Sequence, residues 1–218
     1  MNRLAAALLL ALFSTAGAQQ AASDPTADPL LMQRRLALVL RQSTQHYEAG
    51  EYKAALERLS TLQGAAGQDL SVLNLRGAIL TKLGQHDEAA GLFRSILATD
   101  PNYFPAAFNL GEVEFLRGDY AGALEVFQGM RRRDQRNELV RFKVFLCYLL
   151  LGQEEEAQKM AKGLIPAGST PAWYYAQAMI ARRAGDEMTA EKHLAVARAI
   201  YTESGCRLFD ESVAPVKF

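Results

Sequence analysis

Apolar side chains along this chain recur in short runs of helical spacing, and the runs share one layout. Tyr120, Ala123, Leu124, Phe127 and Met130 fall three or four residues apart or side by side, on one face of a helix. The stripe returns as Tyr52, Ala55, Leu56, Leu59 and Leu62, as Ala89, Ala90, Phe93, Ile96 and Leu97, and more weakly as Ala190, Leu194, Ala197 and Tyr201. A glycine and a polar residue introduce each stripe. Gly50, Gly84, Gly118 and Gly152 stand 34 residues apart, and Gly185 follows 33 later. Behind them come Glu51, Gln85, Asp119, Gln153 and Asp186, and an alanine lies five positions after each glycine (Ala55, Ala89, Ala123, Ala157, Ala190). A fixed period of this length marks supersecondary units stacked side by side, because one such hairpin cannot bury its own stripe.

The pattern predicts five units of helix, tight turn, helix. First helices fall near 30–48, 70–82, 104–116, 138–150 and 171–183, and second helices near 52–63, 86–99, 120–133, 154–165 and 187–201. Asp28 offers a cap for the first of them, with Pro29 at the first helical position. Glycine frees the exit of each first helix, the polar residue caps the second, and the constant alanine marks where the two helices approach too closely for a larger side chain. The fold class is all-α, an α-solenoid of about five helix-turn-helix repeats over 29–202, followed by a tail over 203–218.

These residues resemble the tetratricopeptide repeat. The third unit carries the resemblance best, from Asn109-Leu110-Gly111 through Gly118-Asp119-Tyr120 to Ala123 and Phe127. The second adds Gly77, Gly84, Ala89, Phe93 and the helix-ending Asp100-Pro101-Asn102, and the match extends over residues 36–201. The resemblance implies a right-handed superhelix that binds protein segments and performs no chemistry. Three departures stand out. Ser43 and Phe145 occupy the place of a small glycine, and Ala161 stands where a large apolar residue is common. The linker over 165–171 is one residue short in register, so an irregular joint is expected between the fourth and fifth units.

Residues ahead of the repeats read differently. Arg3 precedes a continuously apolar run from Leu4 to Phe13, and Ala16-Gly17-Ala18 has the small-x-small form of a signal-peptidase site. Residues 1–18 are therefore expected to be a signal peptide and 19–28 a disordered leader, with the mature protein exported to the periplasm or beyond the cell. No later stretch approaches the ~20 apolar residues of a membrane-spanning helix.

Charge and chemistry change this picture little. The formal charge is zero, and −1 without Arg3, which argues against nucleic acid as a partner. Arg131-Arg132-Arg133 suits a helix end, where cations meet the carbonyl pole, and Glu154-Glu155-Glu156 suits a helix start. Cys147 lies in an apolar run and reads as a small buried hydrophobe; a bond between it and Cys206 stays open. His46, His86 and His193 have no metal-ligand spacing, and no nucleophile motif or phosphate-binding glycine loop is present. No catalytic residue, metal or cofactor is expected, and the chain reads as a non-enzyme.

The resemblance places ligands on the concave face, along the first helices. Its register assigns to that face Asn74, Ala78 and Lys82 from the second repeat, and Phe108, Asn109, Glu112, Phe115 and Leu116 from the third. The fourth gives Leu139, Phe142, Lys143, Leu146, Leu149 and Leu150, and the fifth Tyr175, Met179, Arg182 and Arg183. So apolar a surface would take an apolar or amphipathic segment of another envelope or secreted protein. It could equally be covered by the chain's own leader or by the tail around Cys206-Arg207-Leu208-Phe209. Asn109 and Lys143 match two positions with which relatives grip a C-terminal carboxylate, but Leu40, Thr44 and Leu139 stand at the others. The function expected is a scaffold for protein–protein interaction, the alternative being a structural subunit that self-associates.

Overall fold

A computed structural model of the protein describes residues 29–166 and 168–218, so the expected signal peptide and leader lie outside the described residues. Ten helices form the five predicted pairs. They are α1 (Pro29–Glu48) with α2 (Tyr52–Ser60), α4 (Leu70–Lys82) with α5 (His86–Thr99), α6 (Phe104–Leu116) with α7 (Tyr120–Arg133), α8 (Glu138–Leu150) with α9 (Glu154–Lys162), and α10 (Ala172–Arg183) with α11 (Glu187–Ile200). A single turn, α3 (Gly64–Gly67), joins the first two pairs, and α12 (Glu203–Val213) follows the last. Each helix packs against its hairpin partner, and each pair packs against the next. The result is an all-α solenoid.

The turns show how so few residues set this geometry. Gly50, Gly84, Gly118, Gly152 and Gly185 all have positive φ, between 70° and 79°. That left-handed step turns the next amide back onto the helix just ended: Gln85 N donates to Leu80 O at 2.9 Å, and Asp119 N to Glu114 O at 2.9 Å. The polar residue after glycine therefore closes one helix with its backbone. Asp119 and Asp186 also open the next with their side chains, accepting from Gly122 N and Thr189 N at 2.9 Å.

Behind the turns, the five recurring alanines are buried. One step away, a Cβ on Gly77 would stand 2.6 Å from the Phe93 ring, and one on Gly111 the same distance from Phe127. The first helix thus yields the volume that the phenylalanine of its partner fills. Three contiguous clusters make up the core. One lies under repeat one and the start of repeat two, one under repeats two and three, and the largest under repeats three to five with α12.

The joint between repeats four and five departs from the rest. Residues 100–103 and 134–137 suffice for the two preceding connections, whereas α9 stops at Lys162 and residues 163–171 are needed to reach α10. Glu138, buried at the start of α8, holds this linker. Its Oε2 accepts from Ser169 Oγ at 3.0 Å, Thr170 N at 3.0 Å and Thr170 Oγ1 at 2.7 Å. Arg141 donates to Gly163 O, and Tyr201 Oη to Gly168 O at 3.0 Å. Such charge-assisted bonds compensate for desolvating a buried carboxylate.

Candidate protein-interaction face

Of the residues assigned to the concave face, Lys82, Leu116 and Arg183 are exposed, and the others fall into two groups. Asn74, Phe108, Asn109, Glu112 and Arg182 are half-buried, while Phe115, Phe142, Lys143, Leu146, Tyr175 and Met179 are buried. In the first group, Asn109 donates to Asn74 at 3.1 Å across neighbouring repeats. Phe108 stacks on Phe104 and meets the Phe127 ring edge-on at 5.8 Å, so it is shared between surface and core. Arg182 is engaged by Glu187 and Glu191 of the adjoining helix, at 2.9 and 2.6 Å.

Lys143 has no exposed side-chain surface to offer a ligand. Its ammonium lies 2.6 Å from Glu112 and over the face of Phe115, 5.5 Å from the ring centre. A buried ammonium needs such a partner, since an unpaired charge there costs on the order of several kcal/mol in lost solvation. With its charge matched by Glu112, it cannot grip a C-terminal carboxylate. Only Asn109 is left on the open face of the two positions that matched that mechanism.

The apolar end of the expected groove is covered by the chain's own tail. Phe209 of α12 stands 5.2 Å from the Phe142 ring and 5.4 Å from Tyr175, and Phe142 and Tyr175 themselves meet edge to face at 6.3 Å. Phe142 and Tyr175 therefore have no solvent-exposed surface. This corrects the expectation of an open groove at repeats four and five, and the reason is that α12 folds back over α8 and α10 instead of extending the stack. Tyr175 Oη donates to Asp210 Oδ1 at 2.6 Å, and Arg198 donates to the same oxygen at 2.9 Å. Burial first, then the bond to Asp210 and its charge, hold the Tyr175 hydroxyl protonated far above the ordinary tyrosine range. At the far side of the face, Glu211 reaches Lys82 of α4 at 3.3 Å. Charges from Lys82, Glu211 and Arg207 act on Tyr47 of α1 as well, whose pKa is raised chiefly by burial.

Other candidate chemistry resolves into structure. Cys147 and Cys206 are free thiols, both buried, and burial pushes Cys147 up to about 12. The three arginines after Met130 form the last turn of α7, where Arg133 donates to Pro101 O at 2.8 Å. His193 packs edge-on against Trp173, and His46 meets Glu51 at 2.6 Å. Among the described residues no three His, Cys, Asp or Glu side chains gather as a metal would require, and no helix is long and apolar enough to cross a membrane.

One tetratricopeptide-repeat family model matches residues 80–141 and 114–180, and a second matches 40–104, so that together they span well over half of the chain. The chain belongs to the tetratricopeptide-repeat family. Within it, an 88-residue stretch is 32% identical to cellulose synthase 2 operon protein C of Komagataeibacter xylinus, and makes up 40% of this chain but 7% of that protein. Two solved structures share the architecture. A thermophilic tetratricopeptide-repeat protein of Thermus thermophilus superposes with a TM-score of 0.65 at 23% identity, over 83% of this chain and 98% of its own. MamA from Desulfovibrio magneticus RS-1 gives 0.59 at 22% identity, over 76% of this chain and 94% of its own. Identities this low speak for the fold alone.

Proposed function

We propose that this protein is a non-enzymatic scaffold for protein–protein interaction, exported from the cytoplasm, whose concave face receives an amphipathic segment of another envelope or secreted protein. The observation that carries the reading is the seat of α12. The inner sides of α8 and α10 already accept an amphipathic helix, with an aromatic ring between Phe142 and Tyr175 and carboxylates on Tyr175, Arg198 and Lys82. Family membership supports the scaffold role, and the apolar run before Ala16-Gly17-Ala18 supports export.

The test is a photo-crosslinking amino acid at Asn109, with a control at the exposed Lys192, in full-length protein made in its native host. Adducts with a second protein at Asn109 and none at Lys192 are expected. Adducts between copies alone would establish the self-assembling subunit instead, and none at Asn109 would overturn the reading. In the same preparation the mature N-terminus is expected at or near Gln19, and recovery of intact Met1 would refute export.

A further inference from the structure

α12 starts 31 residues after α10, close to where the 34-residue period would put a further first helix, but its packing differs from that of the repeats, since it reaches back to α8 and to α4. The chain leaves α11 through two extended residues, Tyr201 (φ −106°, ψ 152°) and Thr202 (φ −64°, ψ 156°), and Thr202 then caps α12 by accepting from Gly205 N at 3.2 Å. Cys206, Phe209 and Val213, at spacings of three and four, form its buried face with Ser212. Its charge is lopsided, with Glu203, Asp210 and Glu211 against Arg207, three minus one or a net −2. Asp210 is received by the Arg198 cation and the hydroxyl of Tyr175, and Glu211 by the Lys82 ammonium. An isolated helix shorter than ~12–15 residues is marginal in water, so α12 owes its form to the face it covers. Lys82, Glu211, Arg198 and Asp210 are each more than a third exposed, so the ion pairs tying it down belong to the rim and not the core.

We propose that α12 is an intramolecular ligand, a latch that must swing away before the inner face can take its partner, and that this partner is an acidic amphipathic helix of the same pattern. The pattern is an aromatic side chain followed directly by a carboxylate, with apolar positions three residues before and four after. The proposal rests on the scaffold reading and names its ligand. Segments that open locally are those whose ties face solvent, as the Lys82–Glu211 and Arg198–Asp210 pairs of α12 do. A segment held by so short a link competes at an effective concentration of order millimolar, so a partner at lower concentration binds well only when the latch is loosened.

Two measurements on the full chain test this. The first uses its two thiols. Timed alkylation, resolved by peptide mass, should modify Cys206 at least tenfold faster than Cys147, because Cys206 leaves with α12 while Cys147 stays in the α8 core until the whole solenoid unfolds. The second uses a fluorescent peptide of residues 201–218 carrying Cys206→Ser. It should bind the Phe209→Ser full chain at least tenfold more tightly than the unaltered protein, and a peptide with Phe209→Ser should bind neither. If Phe209→Ser does not fold, Asp210→Ala loosens the latch while keeping the ring in place. Equal alkylation of the two thiols would overturn the latch, and peptide binding to the Phe209→Ser chain would then leave the receptor reading standing. Fast alkylation of Cys206 with no peptide binding to either variant would overturn the receptor, and the proposal with it. Equal binding to altered and unaltered chains would mean that the peptide sits elsewhere, which also overturns the proposal.

Discussion

Gly111 and Gly118 lie seven residues apart, and alanine at either position should destabilise the protein for different reasons. Gly118 turns the chain at φ 79° with open space around it, so Gly118→Ala meets only the backbone penalty of a left-handed conformation, ~1–2 kcal/mol. Gly111 is helical, and its missing side chain is the space that the Phe127 ring occupies. Gly111→Ala overpacks that contact, at a cost of about 1–3 kcal/mol. Trimming the ring separates the two mechanisms. In urea melts, Phe127→Leu should recover part of the loss from Gly111→Ala and none of the loss from Gly118→Ala. Equal recovery at both positions would show that the ring does not press on Gly111.

Between helices, the same volume rule runs backwards in one repeat. Positions 77 and 93, and 111 and 127, pair a glycine on the first helix with a phenylalanine on the second. In the fourth repeat the corresponding residues are Phe145 and Ala161, both buried in one cluster, so the large side chain has moved to the first helix. Phe145→Ala alone should open a cavity costing ~3–5 kcal/mol. Ala161→Phe alone should overpack, by about 1–3 kcal/mol. Made together they restore the arrangement of repeats two and three, and the double variant should fall short of the summed losses by ~0.5–3 kcal/mol, the range for residues in contact. Strict additivity in denaturant melts would mean that the two side chains do not share one space.

The helices of the repeats were legible because each signal occurs five times, and a glycine, a cap and an alanine in fixed order leave little room for another reading. α12 carries a legible stripe too, Cys206, Phe209 and Val213 behind a Thr202 cap, but no glycine and second helix of the repeat pattern accompany it among the described residues. The residues assigned to the inner face lie on α4, α6, α8 and α10, and their exposure depends on where α12 docks and on Glu112 meeting Lys143 from the neighbouring repeat. Both are tertiary facts, and spacing along the chain does not encode them.

For the molecule as a whole, α12 links the last repeat to the second, so the stability of the superhelix should depend on the protons that hold it. Tyr175 donates to Asp210 from a buried position, and its pKa lies far above the ordinary 10.0. The folded state therefore keeps a proton that the unfolded chain releases near that value. The stabilisation is full below pH 10.0 and is lost as pH rises toward the folded value. Lys82 acts in the same direction. Burial lowers its pKa, but the charge of Glu211 and its neighbours outweighs that and leaves it raised above 10.5, so its contribution also falls away at higher pH. The urea midpoint should accordingly hold steady to about pH 10 and then drop. Tyr175→Phe should begin lower, having lost the bond to Asp210, and decline less steeply above about pH 10, because the phenol that must ionise is gone. Parallel curves for the two proteins between about pH 8 and pH 11 would mean that Tyr175 does not fasten α12 to the solenoid.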